Sequence, residues 1–221
     1  MVLKENLDAL RRRVALCEQN VVLIAATKTQ SKETIDEFAR LAPEFVLGEN
    51  RVQELVDKYD ERYVWHFIGR LQTNKVKYII DKVALIHSLD RIELANEIEK
   101  QAAKHGKIQD CLVEINMGGE LSKGGVAPES LFEFVDSLKT YEHLRIVGIM
   151  SVLPNLEDKA QLRELYKQLK NIFDELKTKK QSNLDVKYLS CGMTNDYEIA
   201  LQEGSNMIRI GRLLFGERTA T

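Results

Sequence analysis

Cysteine is scarce in this chain: its 221 residues hold three, Cys17, Cys111 and Cys191, far apart and in no CxxC pair. Such usage excludes a disulfide framework and a thiolate zinc site, and it fits a reducing cytosol. The four histidines, His66, His87, His105 and His143, show no metal-ligand spacing either, so no metal is expected. No apolar run approaches the ~20 residues of a membrane span, and the amino terminus reads as a charged helix rather than a signal peptide. A surplus of one charge is missing too. The formal net charge is -2 and the pI is near 6.2, which argues against a dedicated binder of nucleic acid or anionic membrane. The densest cation cluster, Lys177, Lys179 and Lys180, ends an amphipathic helix, where it suits the helix dipole. A nucleotide loop is absent as well. The glycine-rich stretch 117–125 spaces Gly119 and Gly124 like a P-loop, but Gly125-Val126 stands where Lys-Ser/Thr is required. These absences leave a cytoplasmic protein with a single domain over 1–221.

What is present is organised around residues 21–28, Val-Val-Leu-Ile-Ala-Ala-Thr-Lys. Six apolar residues run without alternation, as in a strand of a parallel sheet buried on both faces. Leu3, Leu7, Leu10 and Val14 mark an extra helix before it, and Ser31 caps the helix after it. Further strands are expected at 45–47, 65–69, 84–88, 110–116, 144–150, 186–191 and 207–210. Helical patterns separate them, including one over 72–80 and a long one over 162–176. Eight strands alternating with helices, without a long linker, give a compact single (β/α)8 barrel of the α/β class. An open doubly wound sheet is the runner-up, but no GxGxxG follows the first strand.

In such barrels chemistry gathers at the carboxyl ends of the strands. Lys28 ends the first strand, where an amine backed by apolar wall loses its proton more easily and can attack a carbonyl. Gly211 and the Arg212 amide follow the eighth strand, where such barrels frequently hold a phosphate, and Thr194 can donate its hydroxyl from the seventh. Arg209 lies inside the β-branched strand Met-Ile-Arg-Ile, either inward with an acceptor or outward with a carboxylate. Each feature alone has a bland reading: a solvated strand end, a tight turn, a salt bridge. Together they describe a pyridoxal 5'-phosphate site.

Seven motifs carry a family resemblance, in order and over nearly the whole chain. They are 25–29 (Ala-Ala-Thr-Lys-Thr), 47–54 (Leu-Gly-Glu-Asn-Arg-Val-Gln-Glu), 65–75 (Trp-His-Phe-Ile-Gly-Arg-Leu-Gln-Thr-Asn-Lys) and 87–91 (His-Ser-Leu-Asp-Arg). The others are 121–125 (Leu-Ser-Lys-Gly-Gly), 189–196 (Leu-Ser-Cys-Gly-Met-Thr-Asn-Asp) and 209–218 (Arg-Ile-Gly-Arg-Leu-Leu-Phe-Gly-Glu-Arg). The sequence resembles the pyridoxal phosphate homeostasis protein family, which implies a barrel like the amino-terminal domain of alanine racemase. The resemblance implies Lys28 as the Schiff-base lysine and Arg209 as the partner of the pyridine nitrogen. It implies Thr194, Gly211 and Arg212 on the phosphate, with Asn50 and His66 lining the ring. Thr194 stands where serine is common and keeps the hydroxyl. Arg212 stands where a smaller residue is common, so its side chain either covers the phosphate or points outward.

The expected function is reversible carriage of pyridoxal phosphate by a monomer, with pyridoxal phosphate-dependent apoenzymes as partners and no committed reaction. The alternatives are a pyridoxal phosphate-dependent racemase or lyase, a cofactor-free Schiff-base aldolase, and a non-catalytic scaffold. Racemisation uses a second base, a tyrosine from a carboxyl-terminal domain in alanine racemases. With the chain ending at Thr221, such turnover is not expected.

Overall fold

Val22–Ala26, strand β1, sits between two neighbours that lie far from each other in sequence. The computed structural model, which describes residues 2–119 and 124–216, pairs Ile24 with Val46 on one side and with Arg209 on the other. That double pairing closes the sheet. The remaining strands are β2 Val46–Glu49, β3 Trp65–Phe67, β4 Leu85–Leu89, β5 Gln109–Glu114, β6 Leu144–Met150, β7 Leu184–Ser190 and β8 Met207–Ile210. All pair in parallel with their sequence neighbours, and β8 returns to β1.

Helices α1 Val2–Val14, α2 Lys32–Leu41, α3 Val52–Lys58, α4 Ile92–Lys104, α5 Leu131–Ser137, α6 Lys159–Thr178, α7 Tyr197–Gln202 and α8 Arg212–Phe215 accompany the strands. Ser31 caps α2 by accepting from the Thr34 amide, which stabilises the helix by about 1 kcal/mol. Asp158 does the same for α6. The extra helix α1 buries Leu7 and Leu10, and Asn6 donates to the Leu213 carbonyl, fastening the start of the chain to α8.

Two apolar zones follow from the period-two geometry of the strands. Side chains pointing outward, among them Leu23, Ala25, Ile86 and Val113, merge with the helix faces into the main core. Those pointing inward, Ile24, Leu85, Leu112, Val147, Met150 and Met207, form a separate plug inside the barrel. The plug reaches the end of β6 at Met150, and the buried polar residues Arg209 and Ser190 share that end of the barrel with it.

Two local readings change. The segment expected to be helical over 72–80 is a 3-10 helix, Thr73–Tyr78, and the expected strand residue Phe45 is buried just before β2 begins. At β6 the ladder shifts register on both edges, at Gly148. Its φ is +153, and a Cβ there would run into the Tyr188 carbonyl, so only glycine fits. Residues 120–123, with most of the Leu-Ser-Lys-Gly-Gly motif, and residues 217–221 lie outside the described residues.

Candidate functional site

Lys28 stands two residues past the end of β1. Thr27 before it is fully buried and donates its hydroxyl to Glu49 Oε1 at 2.8 Å, binding the end of β1 to the end of β2. Thr29 after it has φ 67, a conformation that costs a β-branched residue on the order of 1–3 kcal/mol. Lys28 opens on a cleft of about 930 Å³ at the carboxyl ends of the strands. Asn50 beyond β2, Thr194 beyond β7, Arg209 in β8, and Gly211 and Arg212 beyond it line the same cleft. Six of the seven residues expected at the site therefore meet.

Arg209 points inward and is 5% exposed. The acceptors it needs are neutral: Nη1 donates to Ser190 O at 3.0 Å and to Ser190 Oγ at 2.8 Å, and Nη2 donates to Ser151 O at 3.0 Å. Three bonds from five N–H donors leave two without a hydrogen-bond partner among the described residues, in a side chain that lines the cleft. Burial pulls the guanidinium below its ordinary value, against the pull of nearby Cys191, Tyr166 and Glu114, but an arginine remains charged. A fixed cation is thus held at the floor of the cleft.

His66 is not in the cleft wall. It lies deeper, with Nδ1 at 3.1 Å from His87 Nε2, and His87 Nδ1 lies 3.2 Å from Ser190 Oγ. Arginine can only donate, so Ser190 Oγ accepts from Arg209, and the direction of its bond to His87 Nδ1 is set by the histidine tautomer. A neutral His87 that accepts at Nδ1 donates from Nε2 to His66 Nδ1, and one that donates at Nδ1 accepts at Nε2. Burial pushes His66 down to about 3 and holds His87 well below its ordinary value, the latter also through the charges of His66 and Arg209. Both rings are neutral, and the four side chains form one hydrogen-bonded line.

Two features leave room for a ligand. Asn50 Oδ1 is buried with no hydrogen-bond partner among the described residues, which is costly unless something else binds it. A Cβ built on Gly211 would meet only Ala26, at ordinary contact distance, so glycine leaves open space at the rim. The Arg212 side chain is settled: Nη2 donates to Asn195 Oδ1 at 3.1 Å, bridging the loops beyond β8 and β7. Asp196 stiffens the second loop, accepting from the Met193 amide and the Tyr166 hydroxyl.

Other groups supply little chemistry. Burial raises the Cys111 thiol far above its ordinary value and pushes Cys191 up to about 12, so neither is a thiolate nucleophile. Among the described residues no cluster of three or more His, Cys, Asp or Glu could hold a metal, and no helix is long and apolar enough to cross a membrane. Sequence reasoning missed Ser151, Ser190 and His87, which support Arg209, and the charged trio Glu49, Glu54 and Lys58 beside Lys28. Ser190 and His87 lie inside the quoted motifs, but only the barrel brings them together.

Known proteins share this arrangement of strands. The family model of the alanine racemase N-terminal domain matches residues 2–219. The pyridoxal phosphate homeostasis protein of Aquifex aeolicus is 44% identical over 97% of this chain and 94% of its own length. PipY of Synechococcus elongatus, solved without pyridoxal phosphate, superposes with a TM-score of 0.87 at 29% identity, covering 97% of this chain and 100% of that one. The same protein with pyridoxal phosphate bound gives a TM-score of 0.82. The alanine racemase of Clostridium difficile, at 17% identity and a TM-score of 0.75, shares the fold over 99% of this chain and 60% of its own. The chain belongs to the alanine racemase N-terminal domain family and, within it, to the pyridoxal phosphate homeostasis proteins.

Proposed function

We propose that this chain binds pyridoxal 5'-phosphate reversibly on Lys28 and holds it for cofactor homeostasis, without running a committed reaction. The observation that carries the reading is the convergence in one cleft of an amine, a buried guanidinium with donors to spare, and a hydroxyl-and-glycine rim. The orphaned Asn50 oxygen and the open space at Gly211 fit a polar ring and a phosphate. PipY, 29% identical, is known with pyridoxal phosphate bound, which supports the choice of ligand.

When bound, the ligand would supply an aldehyde within reach of the Lys28 amine, the group that would hold it covalently. The Thr194 hydroxyl, Gly211 and the Arg212 amide hold the phosphate, and Asn50 meets the ring. Arg209, fixed by Ser190 and Ser151, would meet the pyridine nitrogen, with His66 and His87 acting through Ser190. A charged arginine opposes protonation of that nitrogen, and the unprotonated ring is a poorer electron sink than one paired with a carboxylate. No tyrosine lines the cleft among the described residues, so the second base of a racemase has no counterpart there. Carriage in the cytoplasm as a monomer, with release to pyridoxal phosphate-dependent apoenzymes, belongs to the same proposal.

Purified protein mixed with pyridoxal phosphate should gain a near-visible absorbance band. Borohydride should trap an adduct that peptide mass mapping places on Lys28. Lys28→Ala should lose the adduct, keep its fold and retain weak noncovalent binding. An adduct at the wild-type level in that variant would move the anchor to another lysine. Sustained interconversion of alanine enantiomers by the loaded protein, abolished by Lys28→Ala, would restore the racemase.

A further inference from the structure

The peptide units on both sides of Lys28 are held by one charged cluster. The Thr27 carbonyl accepts from Lys58 Nζ at 3.1 Å, and the Thr29 amide donates to Glu54 Oε2 at 2.8 Å. Lys58 Nζ also donates to that Glu54 oxygen at 2.8 Å and to Glu49 Oε1 at 2.9 Å. Thr27 Oγ1 donates to the same Glu49 oxygen at 2.8 Å, and Glu49 Oε2 accepts from the Asn50 amide at 3.1 Å. The cluster thus ties the backbone before and after Lys28 to the backbone of Asn50, another wall of the cleft.

Burial argues that the cluster does more than fill space. The Glu49 side chain is fully buried and that of Lys58 is 12% exposed. Charges taken out of water lose hydration that their mutual attraction often fails to recover, so an apolar filling would serve stability as well. What the charges add is a set of directed bonds. Thr29 is the one residue other than glycine with positive φ among the described residues. Such a conformation persists only where its surroundings over-determine it. Glu54 does so by accepting the Thr29 amide, and Lys58 holds Glu54 in place. The turn so fixed sets the direction in which the Lys28 side chain leaves the barrel end, into the cleft that Arg209, Thr194 and Gly211 share.

We propose that Glu54 and Lys58 are positioning residues for Lys28, holding the strained Thr29 turn so that the Lys28 amine meets the ligand's carbonyl carbon. The inference rests on the reading of Lys28 as the covalent anchor. Condensation requires the reacting atoms to be presented about 3–3.5 Å apart and aligned, whereas contacts to phosphate and ring tolerate a displaced amine. Loss of the clamp therefore separates two quantities that loss of folding would not: adduct formation falls and noncovalent binding stays.

Two ligands read these quantities. Pyridoxal 5'-phosphate can condense, while pyridoxine 5'-phosphate carries the same phosphate and ring with an alcohol that cannot. In Glu54→Ala, the rate of borohydride-trapped adduct formation and the affinity for pyridoxal phosphate should each fall about tenfold or more, with pyridoxine phosphate affinity within about twofold of wild type. Adding Thr29→Gly should recover about threefold of that loss, because glycine adopts positive φ without strain and no longer needs the clamp. Should Glu54→Ala fail to fold, Glu54→Gln keeps the volume and an oxygen acceptor, and a loss of about threefold confined to pyridoxal phosphate is expected. Parallel loss of both ligands, without rescue by Thr29→Gly, would overturn the proposal while leaving Lys28 as anchor. Wild-type protein that binds neither ligand overturns it through the other arm, by removing the anchor reading itself.

Discussion

Asn50 holds a buried oxygen with no partner among the described residues, a state that costs a folded protein about 1–3 kcal/mol. Asn50→Ala removes the cost together with the acceptor. The unliganded variant should be as stable as wild type or up to about 1 kcal/mol more stable, while pyridoxal phosphate binds roughly threefold to tenfold more weakly. Urea unfolding with and without ligand measures both. A less stable variant with unchanged affinity would show that the oxygen serves the fold and not the ligand. Residues of this kind differ in how readable they are from sequence. Arg209 was legible as an anomaly, a cation within a β-branched strand, and its inward course follows from the pairing of Ile24 with it across the closing seam. Lys28 was legible from its place after an apolar run. Glu54 and Lys58 were not, since an acid and a base four residues apart on a helix usually form a solvated surface pair. Only the fold lays them against Thr27 and Thr29. His66, expected at the ring, lies outside the cleft lining against His87, and motif position tells nothing of depth within the barrel.

The elements themselves were largely written in the chain. Strands buried on both faces need continuous aliphatic runs, and each such run became a strand within a residue or two of its expected ends. The 3-10 helix Thr73–Tyr78 shows where periodicity stops informing. Val76, Ile79 and Ile80 are buried at spacings that an α-helix and a 3-10 helix share over so short a stretch. The register shift in β6 was also hidden, because a lone glycine in a strand marks a bulge only once its partners are known. That glycine gives a test at this scale. Gly148→Ala places a methyl against the Tyr188 carbonyl at a φ that alanine resists, so β6 and β7 must part or the backbone must move. A loss on the order of 3 kcal/mol is expected in urea unfolding, whether or not ligand is present. A loss below about 1 kcal/mol would mean that the strand pair can relax around the methyl.

Across the whole molecule, the apolar plug shares the end of the barrel where the cleft lies with buried polar groups, and this ties stability to pH. His66, at about 3, and His87, well below its ordinary value, both resist protonation in the fold because burial penalises their charge. The unfolded chain binds protons on these rings below about 6.5 and the folded chain does not. Their stabilising contribution is therefore complete above that pH and falls as the pH falls, by up to ~1.4 kcal/mol per unit for each ring. Glu114 acts in the opposite sense. Burial, reinforced by Asp90, pushes its carboxyl up to about 6, so between about 4.5 and 6 the folded chain holds a proton that the unfolded chain releases. In that window two histidines oppose one carboxyl, and the balance still favours loss, at about 1.4 kcal/mol per unit. Between about 6 and 6.5 the rings of the unfolded chain are only partly protonated, so the slope there is shallower. Urea midpoints measured at intervals from pH 7.5 to 5 should be flat at first and then decline. His66→Gln, which cannot titrate, should lower stability at pH 7.5 but lose most of the slope between about 4.5 and 6, where Glu114 offsets the one remaining ring. A wild-type midpoint that stays level or rises on acidification to pH 5 would mean that the two rings are not held neutral. The line of neutral rings from Arg209 to His66 would then be the wrong description of the barrel floor.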